Sequence, residues 1–214
     1  MLECCGHADA ASGLFSRLAR YYRLRYQIIG LERTQRQLVA GLDKVRYQGA
    51  SLLEIGCGVG YLHQWLLRHG ASKATGVDLS ASMLAEAEKL ASQQGLADRV
   101  RYLQGDFLAI SKDLESADIT LLDKVICCYP DAKSLLACAV SHTNRAIALT
   151  YPRDIWLTRL SIKLLNSFLA WRGSEFRTFV HDPQKIEQWI NAQGFRKCYQ
   201  NQTWTWLTHV YERE

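Results

Sequence analysis

Proline is scarce in this sequence, three among 214 residues, and no run of about 18 consecutive apolar residues occurs in it. A bilayer-spanning helix is therefore not expected. Internal repeats and stretches rich in Pro, Gly or Ser are also missing, which excludes solenoids and strings of linked modules. No Cys-x-x-Cys pair is present. The seven cysteines are an odd number, scattered at Cys4, Cys5, Cys57, Cys127, Cys128, Cys138 and Cys198, which fits a reduced protein better than a disulfide framework. The first residues show no basic segment leading into an apolar one, so no signal peptide and a cytoplasmic location are expected. Charge is not one-sided either: 26 Lys and Arg against 21 Asp and Glu leave a net +5, a weak pull toward anions and no reason to expect a nucleic-acid partner. Cys4, Cys5 and His7 cluster in a terminus read as frayed, and no metal site is expected there.

What is present is ordinary globular composition, 48% hydrophobic and 22% charged, in a chain long enough for one packed domain. Residues 12–42 read as two helices broken at Gly30, with Leu14, Leu18, Tyr21 or Tyr22, Ile28 and Ile29 on the apolar side of the first. Arg17, Arg20, Arg23, Arg25, Arg33 and Arg36 read as a solvated face. From residue 50 short apolar runs alternate with helical stretches. Strands are expected at 50–55, 74–77, 100–103, 119–122 and 146–150, with helices at 61–69, 81–94 and 132–140. Ser80 is the expected N-cap of the second of these helices. Such alternation means a parallel sheet covered on both faces. Segments 195–199 and 203–211 form a closing hairpin, so the last strand runs antiparallel.

The chemistry sits at strand ends. Glu54-Ile55-Gly56-Cys57-Gly58-Val59-Gly60 follows a strand and precedes a helix, where glycines allow tight turns and close approach of a ligand. A dinucleotide loop would carry a glycine at position 61; this chain has Tyr61. Gly76-Val77-Asp78 ends the second strand, 18 residues after Gly60, where a carboxylate can accept both hydroxyls of a ribose. Gly105-Asp106-Phe107 ends the third, where an acid can take an adenine amino hydrogen. Three successive strand tips describe one nucleoside crevice at the carboxyl edge of the sheet.

Those three stretches, E-I-G-C-G-V-G, G-V-D-L-S-A-S-M-L and G-D-F, resemble the first three motifs of the class I S-adenosylmethionine (SAM)-dependent methyltransferases over residues 50–150. The resemblance implies a Rossmann-like, doubly wound seven-stranded sheet with an antiparallel last strand, and S-adenosyl-L-methionine as cofactor. It implies that Glu54, Gly56, Gly58 and Gly60 line the methionine part, that Asp78 holds the ribose and that Asp106 holds the adenine. Cys57, Leu79, Met83, Phe107 and Asp123 complete the cofactor-side candidates. Asp123 to Pro130, Leu149 to Arg153 and Phe179-Val180-His181 are further similar to the magnesium-protoporphyrin O-methyltransferases and their bacterial relatives. That branch carries histidine before Tyr-Pro where this chain has Cys128, so a different acceptor is expected.

The resemblance implies an N-terminal helical extension over 1–48 acting as a lid, a methyltransferase domain over 49–214, and an inserted helical cover at about 153–172. Tyr129 and His181 are the candidate catalytic residues, as hydrogen-bonding or basic groups; Asp131 reads as a helix N-cap, and Cys127-Cys128 as buried small residues. The helix over 155–171 carries a broad apolar stripe. Its first reading is core packing or a lid over an apolar acceptor, and a helix lying on a membrane surface is the alternative. The expected reaction is methyl transfer to a small, partly apolar molecule, with the acceptor atom and the oligomeric state open. The rivals are a non-catalytic SAM-binding module and a nucleic-acid methyltransferase; the latter lacks its usual Pro-Pro-aromatic stretch here.

Overall fold

The computed structural model describes residues 2–214, with side chains from Gly6 onward. Cys4 and Cys5 lie outside the described side chains. In chain order the elements are α1 (Leu2–Ile29), α2 (Arg33–Lys44), β1 (Ser51–Ile55), α3 (Tyr61–Arg68), β2 (Lys73–Asp78), α4 (Ala81–Gln93), β3 (Val100–Gln104) and α5 (Phe107–Ile110). There follow β4 (Ala117–Asp123), α6 (Ala132–Ser141), β5 (Thr143–Pro152), α7 (Trp156–Trp171), α8 (Pro183–Asn191), β6 (Phe195–Gln202) and β7 (Trp206–Arg213). One seven-stranded sheet runs in the order β3-β2-β1-β4-β5-β7-β6. Its pairings are parallel from β3 through β5, and β7 runs antiparallel between β5 and β6.

Strand side chains divide the core into two layers. Leu52, Leu121, Ala146 and Ala148 face the side covered by α2, α3 and α4. Their neighbours Leu53, Leu122, Ile147 and Leu149 face α6 and α8 on the other. Because both faces are covered, β4 and β5 read as nearly continuous apolar runs rather than as alternation. The order reverses beside β1, which places the switch point of the sheet, and hence its ligand crevice, over the carboxyl ends of β1 and β4.

Helix starts follow local chemistry. Ser80 caps α4 by accepting the Met83 N–H at 3.2 Å, and Asp131 caps α6 by accepting the Ser134 N–H at 3.0 Å. Asp182 caps α8, with Pro183 at the first helical position, a pairing suited to a helix start. That helix is absent from the sequence reading, which treats 181–183 as loop. The hairpin also differs: its turn is Thr203–Thr205 rather than 200–202, because Gln200, Asn201 and Gln202 continue the ladder opposite Leu207–His209.

Two expectations about the flanking helices need correction. The first helix begins at Leu2 rather than near residue 12 and includes His7, whose Nε2 lies 3.0 Å from the Arg177 carbonyl. Its contact face combines small residues, Ala11 with Leu169 and Phe176 and Ala19 with Val59 and Met83, with Leu14, Phe15, Tyr22 and Tyr26, so Leu14 and Tyr22 pack as the periodicity expects. Ile28 and Ile29, placed on its apolar side by periodicity, are exposed. Nor is α7 packed into the core: of its 16 residues Thr158 and Leu169 are buried, and seven of its large apolar side chains are exposed.

Candidate cofactor and acceptor site

Each strand tip at the switch point is shaped by a specific backbone demand. Gly56, Gly58 and Gly60 all have left-handed φ, 64°, 53° and 77°, a conformation that costs an L-residue roughly 1–2 kcal/mol. A side chain at Gly56 would also meet Val125 at 2.5 Å, whereas the space beside Gly58 is open. Behind the loop, Gly76 leaves room for Cys57 Sγ and the Tyr102 ring, both of which a Cβ there would meet within 3 Å.

Asp78 ties two of these tips together. Its Oδ2 accepts the Gly58 N–H at 2.7 Å and its Oδ1 the Ser80 N–H at 2.9 Å. Burial pushes its carboxyl up, and these backbone donors pull the other way. Asp106 caps α5 through Oδ1, which accepts the Leu108 N–H at 3.1 Å and the Tyr129 hydroxyl at 2.6 Å. Burial first, and the Asp106 carboxylate second, drive the Tyr129 phenol well above its ordinary range. In this pair Tyr129 is the hydrogen-bond donor.

Glu54 is buried under the glycine loop with its Oε2 facing the His63 backbone N–H at 3.3 Å and Nδ1 at 2.5 Å. His63 Nε2 meets the Tyr102 hydroxyl at 2.9 Å, and that hydroxyl accepts from Gln64 Nε2 at 2.7 Å. One proton assignment satisfies the whole row: Gln64 donates to Tyr102, Tyr102 to His63, and His63 to Glu54. Burial raises the Glu54 carboxyl and the His63 bonds oppose it.

On the β4 side, Asp123 accepts Thr150 Oγ1 at 2.5 Å and Gln35 Nε2 at 2.9 Å. Gln35 in turn accepts the Glu32 N–H at 3.1 Å, so the start of α2 is pinned to the end of β4. Lys124 adopts a left-handed φ of 61° and pairs with Glu32, which also pairs with Arg25. Burial pulls the Glu32 carboxyl upward, but the two cations outweigh it and hold it below the usual range. The Tyr61 hydroxyl is buried with no hydrogen-bond partner among the described residues, and burial raises its pKa.

These groups enclose one cavity of about 780 Å³, within the ~300–1,000 Å³ typical of small-molecule sites. Of the cofactor-side candidates, Glu54, Gly56, Cys57, Gly58, Asp78, Leu79, Met83, Asp106, Phe107 and Asp123 line it, as does Tyr129. Gly60 does not; it starts α3 as N-cap. His181 stands outside as well. Its Nε2 lies 3.1 Å from the Ile126 carbonyl and 2.9 Å from that of Tyr129, and burial lowers its pKa, so it braces the 126–129 turn. The sequence reading misses Phe15, Tyr22, Glu32, Gln35, Tyr61, Lys124 and Phe179, all of which face the cavity. The N-terminal helical extension expected over 1–48 does supply α1 to the cavity, through His7, Ala8, Ala11, Phe15 and Tyr22. No residue of α7 lines the cavity; Glu175 and Phe179, beyond its end, do.

This sheet, with its crevice at the switch point, defines the class I SAM-dependent methyltransferase fold. Residues 52–145 match the family model described as methyltransferase domain. The ubiquinone biosynthesis O-methyltransferase of Coxiella burnetii (strain Dugway 5J108-111) is 26% identical over 160 residues, 72% of this chain and 67% of that protein. Among solved structures, the magnesium protoporphyrin IX methyltransferase of Synechocystis PCC 6803 with bound SAM superposes with a TM-score of 0.70 over 97% of each chain at 16% identity. An O-methyltransferase family 2 protein from Planctomyces limnophilus in complex with apigenin gives 0.67, covering 93% of this chain and 62% of that one at 21% identity. The chain is a SAM-dependent methyltransferase with this fold.

Proposed function

We propose that this methyltransferase acts on an oxygen of a small, partly apolar molecule. The observation that carries the reading is one continuous cavity, which extends past the three strand tips to Lys124 and Phe179 beneath α1. The name of the Coxiella relative supports oxygen as the acceptor atom.

The residues present fit the cofactor. Asp78 retains lone pairs for a ribose diol, and Asp106 Oδ2 is left for an amino hydrogen because Oδ1 carries both of its protein bonds. The open side of Gly58 admits a ligand against the backbone. The unpartnered Tyr61 hydroxyl and the Lys124 ammonium are donors suited to an amino-acid carboxylate. Carboxylates outnumber cations on the cavity wall, where Lys124 is the one Lys or Arg among the described residues. An acid-rich wall of this kind favours a cationic ligand over a neutral one.

Bound SAM supplies a methyl group made electrophilic by its sulfonium. The protein's part is to align the acceptor with that group and to exclude water, which contributes up to roughly 7–11 kcal/mol at the favourable extreme. Proton removal is not assigned to Tyr129 or His181, whose polar atoms are committed to the protein. An acceptor oxygen that enters already ionised, as a carboxylate or an acidic phenol, needs no base at all.

Calorimetry with S-adenosylhomocysteine and transfer of labelled methyl from SAM to a panel of phenols, carboxylic acids, amines and thiols test the reading. Asp78→Ala removes two ribose hydrogen bonds to a charged group, each about 1.5–3 kcal/mol, so affinity falls about 100-fold or more. Asp78→Asn, which keeps the shape, falls less. Equal heats in wild type and both variants, or label entering nitrogen or sulfur acceptors alone, would overturn it.

A further inference from the structure

The outward face of α7 has a composition that solvent alone does not explain. Trp156, Leu164 and Trp171 are 75%, 63% and 78% exposed, and Leu157, Leu160 and Phe168 are exposed beside them. At 100° per residue these six fall within an arc of about 120°, turned away from the buried Thr158 and Leu169. Trp204, 84% exposed in the β6–β7 turn, lies next to the start of α7, because Arg153 donates to the Thr203 and Trp204 carbonyls at 3.2 and 3.3 Å. Singly exposed apolar residues are ordinary, but a contiguous face of this kind marks a contact surface.

Charge indicates what covers it. The helix contains no Asp or Glu. Its cations flank the apolar arc, Arg159 and Lys163 on one side and Arg172 past the carboxyl end on the other. Arg159 is paired with Asp154, so Lys163 and Arg172 carry most of the exposed positive charge. We propose that this face docks on a lipid bilayer rich in anionic headgroups, with the tryptophans at the interface and the cations at headgroup level. A two-fold dimer through the same face would set like charges against each other with no acid on either helix to offset them. Leu169, on the inner side of α7, packs on Ala11 of the helix that roofs the cavity, so the docked face lies beside the site rather than across the molecule from it.

Co-sedimentation of the full chain with vesicles tests this independently of any acceptor. Binding to phosphatidylglycerol vesicles is expected, weakening as salt is added, with little binding to phosphatidylcholine alone. The doubly substituted Trp156→Glu/Leu164→Glu chain changes exposed positions, and its fold is checked by an unchanged Tm and unchanged S-adenosylhomocysteine affinity. Its vesicle affinity should fall more than about 100-fold, and that of Lys163→Ala about fivefold. No binding to anionic vesicles, or equal binding by the doubly substituted chain, overturns the proposal. So does a concentration-dependent dimer that the same substitutions abolish while vesicles leave it intact.

Discussion

Replacing Tyr129 with Phe separates a positioning role from a catalytic one. The hydroxyl donates at 2.6 Å to Asp106 Oδ1, which otherwise accepts the Leu108 N–H. A hydrogen bond to a charged acceptor is worth about 1.5–3 kcal/mol. At 2–4 °C per kcal/mol for a chain of this size, Tyr129→Phe should lower Tm by about 3–12 °C. With Asp106 no longer pinned, restoring its orientation on binding costs about 1–2 kcal/mol, so affinity for S-adenosylhomocysteine should drop about 5–30-fold. The rate at saturating SAM should stay within about threefold. Loss of a general acid or base would behave differently, lowering kcat by ~10²–10⁴ with a changed pH profile. A double cycle with Asp106→Asn sharpens the comparison, since a real coupling leaves ~0.5–3 kcal/mol of non-additivity. Full additivity, or a hundredfold drop in kcat at unchanged affinity, would sink the argument.

Other perturbations follow from buried groups. Gly76→Ala sets a Cβ 2.8 Å from Cys57 Sγ and 2.9 Å from Tyr102, so thermal unfolding should report a loss of about 1–3 kcal/mol; an unchanged Tm would refute the packing account. His181→Ala leaves the Tyr129 carbonyl without its donor, while the Ile126 carbonyl keeps the Tyr129 N–H at 3.2 Å, costing about 1–3 kcal/mol. Its kcat at saturation should change far less than the hundredfold expected of a lost base. His209 is buried between the Tyr151 and Tyr211 hydroxyls at 2.9 and 3.2 Å; burial, and then Lys197, lowers its pKa from 6.5 to about 4. The folded state binds fewer protons than the unfolded one across that window. Its contribution is complete above pH 6.5 and is lost as pH falls toward 4, by up to about 3 kcal/mol. Denaturant titrations of wild type and His209→Gln should diverge in slope over that range, and parallel curves would count against it.

The cofactor half of the molecule was legible because its requirements are local. Left-handed turns at Gly56, Gly58 and Gly60, a cap at Ser80 and acids at the tips of β2 and β3 each leave a mark within a few residues. The acceptor half leaves no such mark. Tyr22, Glu32, Gln35 and Phe179 reach the cavity from segments far apart in the chain. They are held by pairs such as Gln35–Asp123 and Lys124–Glu32, whose sequence separations of 88 and 92 no periodicity reveals. The α1 stripe misled for a related reason. Hydrophobicity picks Leu14 and Tyr22, which pack, together with Ile28 and Ile29, which do not, and it passes over Ala11, Ala19 and Ser12, the last donating to the Leu79 carbonyl at 3.1 Å. Asp182-Pro183 did carry a helix signature, but the helix behind it is nine residues long, with Ile186 and Ile190 its buried positions.

The four carboxylates at the strand ends share one property, prior engagement. Glu54 is held by His63, Asp78 by Gly58 and Ser80, Asp106 by Leu108 and Tyr129, and Asp123 by Thr150 and Gln35. Carboxylates fixed in this way need little reorganisation when a cationic ligand arrives, and their field acts from geometry already in place. Proton-transfer chemistry would demand the opposite, a group with an open lone pair and a pKa near that of the medium. The Tyr61 hydroxyl stands without a partner among the described residues, yet burial raises its pKa and keeps it a donor. A site whose acids are tied and whose phenols are protonated is built to hold and to aim, which is the demand that transfer of an already activated methyl group makes of a protein.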